Sequence, residues 1–146
     1  MHRKVAVAIA AALALVAAGC GGSETDTTTL SRAALVRRVE AACTAAQAAS
    51  TRQAEATRTP DPIAVLRAGQ RVLLERIEGL AGSGEAEDAF DDFKEGVRAR
   101  MDAIEEVAAA SRADRQRVLR EVEADAEEAG RKLDGAIRNL GLGTCS

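Results

Sequence analysis

Few residues of this 146-residue sequence have side chains that could do chemistry. It contains three cysteines and a single histidine, His2, and it has neither tyrosine nor tryptophan. His2 lies in an N-terminal segment that we expect to be cleaved. The mature chain would then have no imidazole to activate a serine or threonine, and it would lack the commonest metal ligand. The sequence also lacks a glycine-rich phosphate-binding motif and a G-x-S-x-G or S-x-x-K nucleophile motif. We therefore expect that the protein is not an enzyme and that it uses no cofactor.

Six carboxylates crowd residues 85–95 and are the strongest candidates for a cation site. They are Glu85, Glu87, Asp88, Asp91, Asp92 and Glu95. Several recur at helical spacing, so a divalent cation could bridge their oxygens. Calcium sites usually also need backbone oxygens of a loop, and the sequence has no EF-hand pattern with its central glycine. Acidic residues equally complement the positive N-terminal end of a helix, and we favour this interpretation and predict no metal site.

A group of arginines near residue 115 is the main basic feature. Its members are Arg112, Arg115, Arg117 and Arg120. Glu105 and Glu106 precede them closely, so ion pairs within the chain are the default interpretation, and contact with anionic lipid headgroups or an acidic wall polymer is the alternative. The formal net charge is −3. Because nucleic-acid binding needs clustered positive charge, we expect no nucleic-acid partner.

The first nineteen residues have the composition of an export signal. A short basic start, MHRK, precedes an apolar run from Val5 to Ala18. This run is shorter than the roughly 20 residues that a membrane span needs, and it is typical of the apolar part of a signal peptide. Cleavage of this segment would remove His2.

The end of this segment resembles the lipobox of bacterial lipoproteins. It consists of Ala17-Ala18-Gly19-Cys20, and the family has small residues before a cysteine that is diacylated and becomes the new N-terminus. The resemblance implies lipidation of Cys20. Ala17 departs from the family pattern, which most often has leucine at that position. The alternative is ordinary secretion with cleavage near Ala18, which leaves Cys20 as a free or paired thiol.

The lipobox resemblance implies a division of the chain into three parts. Residues 1–19 are the cleaved signal peptide, residues 20–30 are the lipidated cysteine and a flexible tether, and residues 31–146 are a helical domain. The tether sequence, GGSETDTTT, has no large apolar side chain. The implied location is the extracytoplasmic face of the cell membrane, with the lipid bilayer as partner through the acylated Cys20.

Assigning Cys20 to lipid leaves two cysteines, Cys43 and Cys145. An even pair in an oxidising compartment favours a disulfide. Cys145 lies on a glycine-rich C-terminal segment that can fold back onto a neighbouring helix. The alternative is two free thiols, with Cys43 as a small core residue among alanines.

Four segments of the remaining chain have apolar residues at spacings of three and four, which predicts four helices. The expected ranges are about 31–58, 62–80, 85–110 and 111–140. The expected N-caps are Ser31, Asp61 with Pro62 in the first turn, and Ser111 with Asp114 as a capping box, and Gly141 is the expected C-terminal stop. The expected inward faces include Leu66, Gln70, Leu119 and Ala126.

Short connections between the segments predict an all-α fold, an antiparallel up-down-up-down four-helix bundle, without strands. In such a bundle Cys43 lies roughly 18 Å along the axis from the end of the fourth helix. The disulfide then requires either a C-terminal tail that climbs back along the first helix or an early break of the fourth helix, with Gly130 and Gly135 as weak points. A three-helix bundle with one loose segment is the alternative fold.

The whole chain is similar to small alanine- and arginine-rich helical envelope lipoproteins. The similarity rests on Glu40-Ala41-Ala42-Cys43 and on Leu140-Gly141-Leu142-Gly143-Thr144-Cys145. The similarity implies a location in the cell envelope and no known activity. The sequence favours a membrane-anchored helical interaction or scaffold module that binds another envelope protein, or itself, through a helix face. The alternatives are a small-ligand or cation-binding envelope lipoprotein and a passive spacer.

Overall fold

The structure, a computed structural model, describes residues 28–145, and these residues form an all-α fold as predicted. The helices are α1 (Arg32–Glu55), α2 (Pro62–Ile77), α3 (Glu87–Ala109), α4 (Arg115–Glu121) and α5 (Glu123–Leu140). A 3-10 turn, Gly84–Ala86, precedes α3. None of these helices combines the length and the apolar composition that a membrane crossing would require.

The helix ends follow local chemistry that the sequence contains. Asp61 Oδ1 accepts a hydrogen bond from the backbone N–H of Ile63 at 3.0 Å, and Pro62 occupies the first turn of α2. Gly141 ends α5 in the left-handed conformation, with φ at 76°. The backbone N–H of Asp114 donates to Ser111 Oγ at 3.2 Å, which is half of the predicted capping box.

The fourth predicted helix is divided into α4 and α5 at Val122. This residue has φ −89° and ψ −2°, in the sparsely populated bridge region, whereas Gly130 and Gly135 remain inside α5. The expectation that a glycine would be the weak point was therefore wrong. The break lies at a β-branched residue, which restricts helix geometry, and it falls between two separate groups of core contacts.

Those two groups are the apolar clusters of the interior. The main cluster joins α1, α2, α3, α5 and the C-terminal tail, and its largest fully buried side chains are Phe90, Phe93, Leu35, Ile77, Val39 and Val97. The second cluster contains Val107 of α3 and Val118 and Val122 at the break, with Ile63 packed against them. The chain thus changes direction where it passes from one cluster to the other.

Two leucines that were expected to face inward are instead exposed. Leu66 of α2 is 43% exposed and Leu119 of α4 is 46% exposed, and Ala126 of α5 is also exposed. The apolar residues of each helix cover a wide stripe with two edges. Only the edge that contains Leu73 in α2, or Val118 in α4, packs against other helices. Leu66 and Leu119 lie on the opposite edge. These three inward assignments were wrong.

Neighbouring helices approach closely where small residues meet. Gly69 of α2 lies against Ser50 and Ala46 of α1, and Ser50 Oγ donates to the carbonyl of Val65 at 3.2 Å. Gly96 of α3 lies against α5, where an added Cβ would be 2.7 Å from Leu133 Cγ. Such approaches bury backbone against backbone in a chain with few large side chains.

The domain has two ends, called here the entry end, where the N-terminal segment joins it, and the far end. At the entry end, β1 (Thr28–Thr29) pairs in parallel with β2 (Leu80–Ala81), and Ser83 Oγ donates to the carbonyl of Leu30 at 3.0 Å. No strand was expected in the sequence, and the last residues of the expected tether are thus bonded to the loop before α3. At the far end, Arg115 pairs with Asp61 at 2.9 Å.

Substitution of two glycines by alanine tests the close approach of α3 and α5. Gly96→Ala should lower the free energy of unfolding by about 1–3 kcal/mol, because the new methyl group overlaps Leu133. Gly135→Ala is the matched control in α5: no atom lies within 4 Å of its added Cβ, so it should raise the free energy by about 0.5–1 kcal/mol. Urea unfolding of both variants measures the difference. Equal changes in both would contradict this packing.

Candidate functional site

The principal candidate site is a cavity of about 200 Å³ between α1, α2, α3 and α5, here called the central cavity. The residues that line it are Cys43, Gln70, Leu73, Phe93, Val97, Arg100, Gly130, Leu133, Asp134, Ile137 and Cys145. Every one of the four long helices contributes to its wall, together with the C-terminal tail. Most of these side chains are apolar, but polar groups make up almost half of the accessible wall, so the cavity is mixed in character.

Gln70 supplies the one uncharged polar side chain of the wall. Its Oε1 atom is buried and accepts no hydrogen bond from any residue between 28 and 145. A buried acceptor without a donor costs about 1–3 kcal/mol, so such groups are uncommon in packed interiors unless a function retains them. The apolar stripe of the sequence predicts that Gln70 faces inward, but we did not single it out as functional. A lone amide within a run of leucines is the signal that could have identified it.

Two opposite charges lie among the lining residues. They belong to Arg100 of α3 and Asp134 of α5, whose side chains are exposed. Neither side chain forms an ion pair within the described part of the chain. The two formal charges cancel, so the cavity has no excess charge with which to select an ion.

The disulfide between Cys43 and Cys145 is present, as predicted, and it forms part of the cavity wall. The two Cα atoms are 5.3 Å apart, although 102 residues separate them in the sequence. Cys43 is buried in the middle of α1. The alternative of two free thiols is therefore wrong.

The tail that carries Cys145 climbs back along α1, which is one of the two routes that the sequence left open. Arg32 at the start of α1 donates to the carbonyl of Asn139 at 2.7 Å. Further along α1, Glu40 Oε1 accepts from the backbone N–H of Gly143 at 3.1 Å, and Gln47 Nε2 donates to the carbonyl of Thr144 at 3.1 Å. The tail from Gly143 to Cys145 thus lies against the stretch of α1 between Glu40 and Gln47.

A second cavity also borders the disulfide. It measures about 380 Å³, and it opens between α1 and α2, where exposed Leu66 forms part of its wall. Cys43, Gln70, Leu73 and Cys145 line both cavities. The disulfide and the unpaired amide therefore stand where the two spaces meet.

A groove of about 570 Å³ lies at the break between α4 and α5 and is here called the far groove. Its lining residues are Gln116, Leu119, Arg120, Val122, Glu123, Ala126 and Glu127. Exposed Leu119 gives it an apolar centre, and charged residues surround that centre. The groove belongs to the part of the domain opposite the entry end, because α4 begins beside Asp61.

Two of the four arginines near residue 115 form ion pairs within the chain, but with other partners than expected. Arg115 pairs with Asp61, and Arg117 pairs with Glu121 at 2.8 Å. Glu105, the expected partner, instead binds Arg67 of α2 at 2.6 Å. The pKa of Asp61 lies below its ordinary value, chiefly because its carboxylate accepts the hydrogen bond from Ile63 and also because Arg115 is adjacent.

The carboxylates of residues 85–95 pair with lysines in several cases. Lys132 of α5 lies 2.6 Å from Glu95 and 3.4 Å from Asp92, and Lys94 lies 2.8 Å from Asp91. The pKa of Lys132 is raised, mainly because it donates a hydrogen bond to Glu95. Within residues 28–145 no three potential metal ligands are grouped closely enough to hold an ion. The two contacts of Lys132 connect α3 to α5.

The predicted lipidation site, Cys20, lies outside the described residues. Of the predicted site residues, the structure brings Cys43 and Cys145 together and adds Gln70 beside them. Comparison of the chain with known protein families, with curated proteins and with solved structures finds no match.

Proposed function

We propose that this chain is a non-enzymatic, lipid-anchored helical module on the extracytoplasmic face of the cell membrane, and that it binds another envelope protein through the far groove. The observation that carries the proposal is an exposed apolar groove at the end of the domain opposite the point where the N-terminal segment enters. An anchored domain presents that end to other proteins of the envelope.

The anchor rests on the lipobox pattern that ends at Cys20. Two acyl chains on one cysteine bind a bilayer stably, because each buried methylene contributes about 0.8 kcal/mol. Residues 20–27 reach at most about 28 Å when fully extended. The α1 helix of 24 residues adds a length of roughly 36 Å. The far groove would then stand off the membrane at the height of neighbouring envelope proteins.

The groove itself suits an amphipathic helix of a partner protein. Leu119, Val122 and Ala126 provide an apolar strip that matches the apolar face of such a helix. Glu123 and Glu127 lie one helical turn apart beside this strip. We therefore propose that the partner helix has basic residues one turn apart next to its apolar face.

We propose further that α4 and α5 together act as one bent arm, so that the domain is an antiparallel up-down-up-down four-helix bundle. The ion pairs between helices support this topology. Arg67 of α2 pairs with Glu105 of α3, and Glu78, the residue after α2, pairs with Arg98 of α3. Residue numbers that increase along α2 thus meet numbers that decrease along α3. The contact of Arg32 with Asn139 supports the closure of the fourth arm onto the first.

Metabolic labelling with a clickable fatty acid tests the anchor. The wild-type chain should incorporate the label and the Cys20→Ala variant should not, because only Cys20 follows the lipobox residues. Cys145→Ser is the matched control, since it removes another cysteine and should retain the label. In-gel fluorescence of the purified chains measures incorporation. A labelled Cys20→Ala chain would contradict the site, and an unlabelled wild type would contradict the anchor.

Photo-crosslinking in intact cells tests the far groove. A photoreactive amino acid at Gln116 should give one dominant adduct with another membrane or envelope protein. Leu119→Arg should reduce that adduct at least fivefold, because it places a charge in the centre of the apolar strip. Leu66→Arg is the matched control: it changes a leucine of nearly equal exposure on α2, and it should leave the adduct unchanged.

The groove proposal fails if no dominant adduct forms, or if both arginine variants reduce it equally. An adduct of twice the mass of the chain would show self-association and would also contradict a heterologous partner. Circular dichroism of both variants verifies that each remains folded, as the exposure of the two leucines predicts.

A further inference from the structure

We propose that the junction between α4 and α5 is a hinge with two states, and that only the bent state, which the structure shows, has the far groove. In the other state α4, Val122 and α5 form one straight helix, and the groove is absent. A partner that occupies the groove therefore selects the bent state. The role of the partner rests on the proposed function, whereas the hinge itself is a property of the free chain.

The far groove is built from a single stretch of chain. All of its lining residues lie between Gln116 and Glu127, on α4, at Val122 or on α5. The outward surface of a straight helix is convex, so such a stretch encloses a depression only where the helix axis changes direction. The groove thus depends on the bend, and straightening the chain at Val122 removes it.

Three helical hydrogen bonds are missing at the junction. In a continuous helix the backbone N–H groups of residues 123–125 would donate to the carbonyls of residues 119–121. The bonds on either side are present: Val122 donates to the carbonyl of Val118 at 3.0 Å, and Ala126 donates to that of Val122 at 2.9 Å. Within the described part of the chain no helical turn encloses Val122, so the three bonds between are absent. Straightening restores all three.

The sequence around the junction favours a continuous helix. Residues 119–125 contain neither glycine nor proline, and most of them are good helix formers. The apolar residues before and after the junction form one stripe at spacings of three and four: Val118, Val122, Ala126, Ala129 and Leu133. Ala126 is exposed in the bent state, although a straight helix would turn it inward with the rest of the stripe. The local sequence and the observed bend therefore favour different states.

Packing and one ion pair hold the bent state. Val118 and Val122 are buried against Val107 of α3 in the second apolar cluster. Arg115, at the start of α4, pairs with Asp61 at 2.9 Å. The length of α4 between Arg115 and Val122 is roughly 10 Å, so rotation about the junction moves the arginine far more than the valine. Straightening therefore breaks the ion pair and replaces it with backbone hydrogen bonds.

We expect the two states to lie close in free energy. The side chains of Arg115 and Asp61 are 33% and 40% exposed, and ion pairs in contact with water contribute little net stability. A backbone hydrogen bond that replaces a bond to water likewise contributes little. Since neither side of the exchange dominates, the straight state is a minor state of about 1–10%. Collective motions of helices take microseconds to milliseconds.

NMR relaxation dispersion of the free chain tests the hinge. The experiment uses the oxidised, isotope-labelled chain from residue 20 onward with Cys20→Ser, which contains the whole described fold. Residues 119–126 should exchange with a minor state on the millisecond timescale, whereas residues 131–138 of α5 should not. The carbon chemical shifts of the minor state should be helical at Val122, because the straight helix includes this residue. An α4 that only unfolds would give random-coil shifts instead.

The Ala124→Pro variant cannot form the straight helix. It lacks the N–H that the straight state needs, and its ring would overlap the carbonyl of Arg120. In the bent state position 124 lies in the first turn of α5, where this N–H has no helical acceptor. The variant should therefore fold and show no exchange. Glu128→Pro is the matched control: this exposed residue lies one turn later, inside α5, and its substitution should lower the Tm about three times as much or more.

Two substitutions outside the groove release the bend. Arg115→Gln removes the ion pair with Asp61, and Val107→Ala removes part of the apolar surface against which the junction packs. Neither residue lines the far groove. Together the two changes should raise the population of the straight state about tenfold or more, which relaxation dispersion measures directly.

The photo-adduct formed at Gln116 reports the groove in the same variants. The double variant should reduce the adduct about twofold or more, because a partner binds only the fraction of chains that is bent. Adding Ala124→Pro should restore the adduct, which would not happen if the double variant were simply misfolded. Arg117→Gln is the matched control: its ion pair with Glu121 lies within α4, so the adduct and the populations should stay unchanged.

Several results would overturn the proposal. Absence of exchange at residues 119–126 of the folded wild type, or random-coil shifts for the minor state, excludes the hinge. Exchange that survives Ala124→Pro excludes the straight helix as the second state. An adduct that the double variant leaves unchanged, or that Ala124→Pro does not restore, separates the groove from the bend. If the wild type forms no adduct at all, the proposed function fails while the NMR results on the free chain stand.

Discussion

The covalent bond between Cys43 and Cys145 is the constraint on which the rest of the structure depends. It joins the middle of the first helix to the end of the chain, across 102 residues of sequence. The interior that it closes contains two phenylalanines as its largest side chains and five buried alanines, so apolar burial contributes less than in a domain of larger side chains. Removing the freedom of such a long segment in the unfolded chain stabilises the fold where the core is thin.

Small residues have two opposite effects in this domain. Gly69 and Gly96 let α2 approach α1 and α3 approach α5, so backbones pack closely at these points. Beside Gly130 the central cavity is left unfilled, although Leu73, Phe93 and Leu133 line it. An unfilled space removes packing contacts and costs stability. The disulfide that borders it offsets part of that cost by constraining the unfolded chain.

The sequence predicted the features that depend on local chemistry and on counting. Asp61 with Pro62 begins α2 and Gly141 ends α5, because capping and left-handed backbone are properties of a few adjacent residues. The disulfide followed from the two cysteines that remain once Cys20 is assigned to lipid. The break at Val122 and the exposure of Leu119 were not predictable, because they depend on which neighbouring helix each flank of an apolar stripe meets.

The same reasoning explains why the central cavity was missed. Periodicity indicated that Gln70 faces inward, but only three-dimensional contacts show that its buried Oε1 atom meets no donor and that Gln70 is one of the residues around a cavity.

The most direct test of the central claim compares the oxidised and reduced forms of one chain. Urea unfolding of the chain with Cys20→Ser, with and without reductant, measures the free energy of unfolding in each state. If the cross-link compensates for the thin core, reduction should lower that free energy by about 4–5 kcal/mol. This is a large part of the free energy of unfolding of a typical domain. Two curves within about 1 kcal/mol of each other would contradict the account, because the helix contacts alone would then hold the domain.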